Sequence, residues 1–300
     1  MTALDLLAVG ALATIWGTNF LFVDWALTGM TPGQVVMARL CLGATILVLL
    51  AFASRVRFPR TLSAWGRLTA MGLIGQGVPW LLFAWGQETV PAALAGVYTG
   101  MTPLLTIPMA WLLMRTSPSR WETSACVIGF VGLALVLSPW SSGGTGGPVS
   151  GQLLCLAGAV CYACGFAYAA RILRDVKEHK LSLAAVQAVA TTIVMAPLNS
   201  TQIIASANLH GMVVAGVVLL GVGSALAFVI NYWLIARVGP VRSSLAFYLI
   251  PVVAVVVGIF FQHERLSGVE LAGAAVVVAG LAVVYHGEGT KIISSRTLQQ

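Results

Sequence analysis

The strongest constraint on this chain is a succession of ten apolar runs, each roughly 20 residues long, joined by short polar connections. A helix of that length crosses the hydrocarbon core of a bilayer and satisfies its own backbone polar groups there. The runs lie near 4–24, 32–53, 65–87, 90–114, 119–138, 150–172, 181–203, 211–236, 241–262 and 266–286. A soluble fold is excluded by composition: 59% of the 300 residues are hydrophobic and 8% charged, where soluble domains have about a quarter of their residues charged. An all-α integral membrane protein is expected. Thr31-Pro32, Val90-Pro91 and Gly239-Pro240 read as helix openings, and SSGGTGGP (141–148) as a flexible linker. The chain divides into a first unit (1–140), a linker (141–149), a second unit (150–286) and a tail (287–300). Asp5 stands at the start of the first run and no basic segment precedes it, so that run does not read as a cleavable signal peptide.

Basic residues set the expected orientation. If the connections alternate sides, fourteen of the sixteen Lys and Arg fall on one side, Arg265 alone falls opposite and Arg39 lies within a span. Cytoplasmic loops are the ones enriched in Lys and Arg, so both termini, and the tail with them, are expected in the cytoplasm. The formal charge of +7 therefore reports topology; scattered over short loops, it gives no basic stripe for nucleic acid.

The two units resemble each other. Residues 68–137 laid over 216–285 pair Trp85 with Trp233, Pro103 with Pro251, Glu122 with Glu270 and GLA (132–134) with GLA (280–282), without a gap. Because each unit has five spans, the second copy enters the membrane inverted relative to the first. Such inverted repeats give transporters two related conformations around a midplane site.

Prolines and polar residues concentrate where that site is expected. Pro103 and Pro251 fall near the middle of their spans and Pro79 within the third. Each removes a backbone hydrogen bond and frees a carbonyl, so these three are the expected hinges. Tyr98, Thr99 and Thr102 precede Pro103, and Ser244 and Tyr248 precede Pro251; with Trp16, Asn19, Gln76, Trp80 and Tyr162 they form the candidate substrate-binding set around a central cavity. Ser224, Thr191 and Thr192 lie at similar depth, and Gly96 and Gly100 make a small-xxx-small pattern suited to helix packing. Three charges stand out: Arg39, roughly 10 Å into the second span by helix rise, and the carboxylates Asp24 and Glu88 at span ends. An ion pair from Arg39 to one of these carboxylates is the leading reading; the rival makes Arg39 the partner of a substrate carboxylate or phosphate.

Catalytic chemistry finds little foothold. The four histidines are dispersed among loops and the nine acidic residues form no cluster, against a membrane-embedded lipid-modifying enzyme. Cys161-x-x-Cys164 has no second ligand pair and reads as helix packing; no cofactor or metal is expected. No ring of like charge suggests a channel.

WGTN (16–19), MARL (37–40), PAALAGVYTGMTPLL (91–105) and YLIPVVAVVVGIFFQHERLSGVELAGAAVVVAGL (248–281) resemble the EamA-type branch of the drug/metabolite transporter superfamily. The resemblance covers nearly the whole chain. It implies ten helices in two inverted repeats, with spans 1–4 and 6–9 lining a cavity and spans 5 and 10 bracing it. It also implies an inner-membrane carrier of small molecules, most often an exporter of amino acids or other metabolites. Exporters of the YddG type are the nearest likeness, and Trp16, Trp80, Tyr98 and Tyr162 would suit their aromatic cavities. Two departures are His263-Glu264 where the family usually has Gly-Glu, and Thr116 at the paired position of the first unit. A carrier of phosphorylated metabolites or drugs is the alternative within transport, although a phosphate would want more basic residues than Arg39.

Overall fold

A computed structural model of the chain describes residues 2–114, 120–137, 146–172, 179–199, 207–238 and 245–297. Among them are twelve α-helical segments, one π-helical turn and no strand. In order these are α1 (Ala3–Leu27), α2 (Pro32–Ala53), α3 (Leu62–Gly72), the π turn Leu73–Gly77, α4 (Val78–Gln87), α5 (Ala92–Gly100) and α6 (Thr102–Met114). Then come α7 (Arg120–Leu137), α8 (Val149–Ile172), α9 (Lys180–Leu198), α10 (Gly211–Val238), α11 (Leu245–Phe261) and α12 (Gly268–Thr297). Seven of the described helical stretches are long and apolar enough to cross a membrane, and Thr123–Val136, Leu249–Phe261 and Gly268–Gly280 are shorter apolar helices. Gly239-Pro240 and most of the linker lie outside the described residues.

Local sequence signals explain the boundaries. Thr2 and Asp5 cap each other at the start of α1, Thr31 and Gln34 at α2, and Ser267 and Glu270 at α12, so orphan N–H groups of each first turn find side-chain oxygens. Pro32 sits in the first turn of α2, where its missing N–H costs nothing. Large apolar side chains such as Leu49, Phe52, Leu112, Ile193 and Phe260 face outward, 63–70% exposed, as a lipid-facing surface demands.

The principal packings join helices before the linker to helices after it. α1 lies against α10 and α11, α2 against α9 and α10, α4 and α6 against α8, α3 against α9, α5 against α11 and α7 against α12. The two stretches interlock over their length and share one body. At the α7–α12 crossing a Cβ on Gly132 would meet the Gly273 carbonyl at 3.0 Å and Val277 at 2.8 Å, and one on Gly280 would meet the Ala125 carbonyl at 3.2 Å and the Gly129 nitrogen at 3.3 Å. Residues 132, 125 and 129 are the offset partners of 280, 273 and 277, so the crossing is its own mirror under exchange of the two stretches.

Candidate functional site

Arg39 organises the polar interior. It lies on α2 and is 7% exposed. Its guanidinium carbon is 3.7 Å from the centroid of the Trp80 ring on α4. Nε donates to Ser224 Oγ on α10 at 2.7 Å, and Ser224 in turn donates to the Leu220 carbonyl. With the Asn19 amide oriented to satisfy both its atoms, Oδ1 accepts from an Arg39 Nη at 2.9 Å and Nδ2 donates to the Ile15 carbonyl at 3.1 Å. Tyr162 on α8 stands beside the same guanidinium and the Trp80 indole, and its ring stacks on Phe83 at 5.8 Å. Five helices thus deliver one side chain each.

Every partner is neutral. The ion pair expected from Arg39 does not form: Asp24 instead accepts a hydrogen bond from Gln262, and Glu88 is exposed at the end of α4. The reason is helix adjacency. Asp24 and Arg39 are close along the chain, yet α2 packs chiefly on α9 and α10, so the two side chains serve different interfaces. Burying a cation costs several kcal/mol after relaxation. A hydrogen bond from a charged donor returns about 1.5–3 kcal/mol and a desolvated cation–π contact about 2 kcal/mol. The cradle roughly offsets desolvation but leaves the charge in place.

The other candidates divide. Gln76, in the π turn, is buried, and its Oε1 has no hydrogen-bond partner; the same holds for Thr99 Oγ1 and Thr102 Oγ1. Trp16 contributes to an aromatic group instead: Phe247 lies between it (4.8 Å between ring centroids) and Phe166 (5.0 Å). Tyr98 stands apart from the arginine, wholly buried, its hydroxyl donating to Gln152 Oε1 on α8 at 2.7 Å. Ser244 lies outside the described residues, and of Tyr248 only the backbone, in α11, is described. A cavity of about 470 Å³ lies away from this cluster, lined by Arg57, Phe58, Pro59, Arg60, Thr61 and His179.

The hinge prolines adopt three different settings. Pro79 follows the π turn at the start of α4, and Pro103 sits in the first turn of α6, after the α5–α6 break at Met101. Pro251 lies inside unbroken α11. A Cβ on Gly100 would fall 2.0 Å from Pro251 Cγ and one on Gly96 2.0 Å from Ala254 Cβ, so the two glycines admit the proline-bearing helix at contact distance.

At the opposite end of α5, Glu264 accepts from the Ala92 and Ala93 amides at 2.7 and 3.0 Å, tying the connection after α11 to the start of α5. Gly258 makes room for it, since a Cβ there would lie 2.3 Å from Glu264 Oε2. Burial pushes the Glu264 carboxyl up, the two amide bonds pull it down and the Asp24 charge adds to the rise. Sequence reasoning did not single out Glu264 as a helix cap and did not name Gln152 or Gln262. A buried glutamine looks like any polar residue at a span end until its partner on another helix is placed.

A helical, lipid-compatible body with a charged polar cluster in its interior defines a multi-pass membrane protein of transporter type. The chain belongs to the EamA-like transporter family, whose model matches it twice, over residues 4–138 and 149–286. It is 26% identical over 94% of its length to the inner membrane transporter YedA of Escherichia coli, covering 90% of that protein. It is 24% identical to a protein named "Probable terminal-alkyne amino-acid exporter" from Streptantibioticus cattleyicolor, covering 90% of this chain and 89% of that one. A "Probable amino-acid metabolite efflux pump" of Salmonella typhimurium is 25% identical, over 91% and 92% respectively. A solved crystal structure superposes with a TM-score of 0.66 at 19% identity, over 94% of this chain and 97% of that one, a likeness of fold.

Proposed function

We propose that this chain is a secondary carrier that exports amino acids or similar small metabolites across the inner membrane by alternating access. The observation that carries the proposal is the Arg39 cluster, a desolvated polar centre assembled from helices on both sides of the linker. Names of relatives supply the substrate class. The double family match and the exchange-symmetric α7–α12 crossing support two inverted five-span units, 1–140 and 150–286, making ten spans in all. The fourteen-to-one distribution of basic residues supports cytoplasmic termini. In that orientation the Trp16–Phe247–Phe166 group lies toward the cytoplasmic ends of its helices, and the Asp24–Gln262 and Glu264 contacts lie toward the opposite ends. Lipid surrounds the carrier, and one chain suffices for the site.

A carrier of phosphorylated metabolites is the second reading, and the single cation at the cluster weighs against it. An embedded enzyme fits less well: among the described residues no group of three His, Cys, Asp or Glu could hold a metal. The test is efflux and uptake of each of the twenty labelled amino acids in proteoliposomes. Flux no greater than in empty vesicles for all twenty sinks the amino-acid reading.

A further inference from the structure

We infer that Arg39 is the anchor for a carboxylate on the cargo, so that the carrier selects molecules bearing one negative charge beside whatever else they carry. The inference rests on the carrier reading above and deepens it. Neutral groups alone hold the guanidinium: the Trp80 face, Ser224 Oγ and the Asn19 amide, with the Tyr162 ring nearby. An arginine needed only to brace helices would be expected to meet a carboxylate, and among the described residues none lies within ion-pair distance. The cradle fixes the plane of the guanidinium and solvates its charge without cancelling it. Arginine carries five N–H donors in a planar fork, and the two nitrogens engaged here, Nε and one Nη, leave the second Nη for an incoming acceptor.

Stoichiometry of charge narrows the class. One buried cation is neutralised by one carboxylate, whereas a phosphate monoester brings close to two negative charges at neutral pH. A second polar group points to the zwitterion. Gln76 lies four residues before Trp80, is 3% exposed, and its Oε1 accepts from nothing; a carbonyl oxygen left without a donor suits an ammonium. Because Asn19, Arg39, Trp80, Tyr162 and Ser224 come from α1, α2, α4, α8 and α10, neutralising the charge alters contacts of helices from both sides of the linker at once. A ligand acting there can bias the whole body toward one arrangement.

Proteoliposomes loaded with each of the twenty labelled amino acids, or with the matching amino-acid amides, read the claim directly on the parent protein. Amides are expected to move at least tenfold more slowly than the acids. Arg39→Gln is expected to lose that discrimination by losing carboxylate flux, and Arg39→Lys, which keeps the charge without the planar fork, to retain part of it. Parallel thermal midpoints in detergent check that the variants fold, and the parent's acid-to-amide ratio decides the matter if Arg39→Gln does not. Equal flux of acids and amides in the parent, or undiminished carboxylate flux in a folded Arg39→Gln, overturns the inference while leaving the amino-acid carrier standing. Flux of simple monocarboxylates such as lactate that depends on Arg39, with no amino acid moved, keeps the inference and removes the amino-acid reading. If neither amino acids nor monocarboxylates move, both fall.

Discussion

The segments around Pro103 and Pro251 begin from the same sequence logic and end in different structures. Both prolines fall at mid-span, and at matching positions of the two similar stretches. Before Pro103 the helix stops at Gly100, turns at Met101 and restarts, so the proline occupies a first turn that had no intrahelical bond to lose. α11 instead runs through Pro251 without interruption, and the ring is seated against Gly100 of the broken segment. One proline is accommodated by breaking its helix and the other by a groove in its neighbour. Matching residues therefore need not do matching work.

The largest effect is expected from filling that groove. Gly100→Ala places a methyl 2.0 Å from Pro251 Cγ, and overpacking of this kind costs about 1–3 kcal/mol. Pro251→Ala removes the ring and restores a helical N–H, so the double variant should recover much of what Gly100→Ala loses, a coupling of about 1 kcal/mol or more. Thermal midpoints of the four detergent-purified proteins measure it; strict additivity would mean that the two residues do not share a contact. Next in size is Pro103→Ala. The break at Met101 then has no proline to hold it open, and turnover should fall several-fold while cargo binding changes little, because a healed helix resists access switching. Equal transport by variant and parent removes the hinge from this segment.

What could be read in advance follows from the physics each feature obeys. The seven helical stretches long and apolar enough to cross a membrane were legible because crossing a bilayer fixes a length, and helix starts such as Thr31-Pro32 because capping is local. That Arg39 lies within a helix, not in a connection, was legible for the same reason. Its partners were not, since depth says nothing about which helix lies alongside, and the pairing of α2 with α9 and α10 is settled only by packing. Tyr98 shows the same gap: sequence alone places a mid-span tyrosine among cavity-lining residues, and only the packing reveals that its hydroxyl donates to Gln152 of α8. Glu264 lies outside the spans, where sequence carries no sign that it caps the helix that carries the break.

That cap separates the two segments further, because it acts on the start of α5. Burial raises the Glu264 carboxyl above the ordinary glutamate range, outweighing the amide bonds. The folded state therefore holds this proton more tightly than the unfolded chain does. Its contribution to stability is fully present below the ordinary range and is lost as pH rises through the raised value. The parent's thermal midpoint should fall across that window, and Glu264→Gln should flatten the fall. Asp24 faces Glu264, and His263 and Arg265 flank it in sequence, so the comparison is made as a difference between the two proteins at each pH. Parallel curves would mean that Glu264 does not titrate there.

The smallest expected effect concerns the hydroxyls beside the break. Thr99 Oγ1 and Thr102 Oγ1 are buried without a partner, and an unsatisfied buried hydroxyl costs about 1–3 kcal/mol. Thr99→Val and Thr102→Val keep the side-chain volume and remove the orphan, so each should raise the thermal midpoint slightly in the absence of cargo. If these hydroxyls serve the cargo, the same variants lose flux while gaining stability, the trade expected where a polar group is kept for function. A lowered midpoint would instead show that water or a neighbour already satisfies them, and the break at Met101 would then be a device of packing alone.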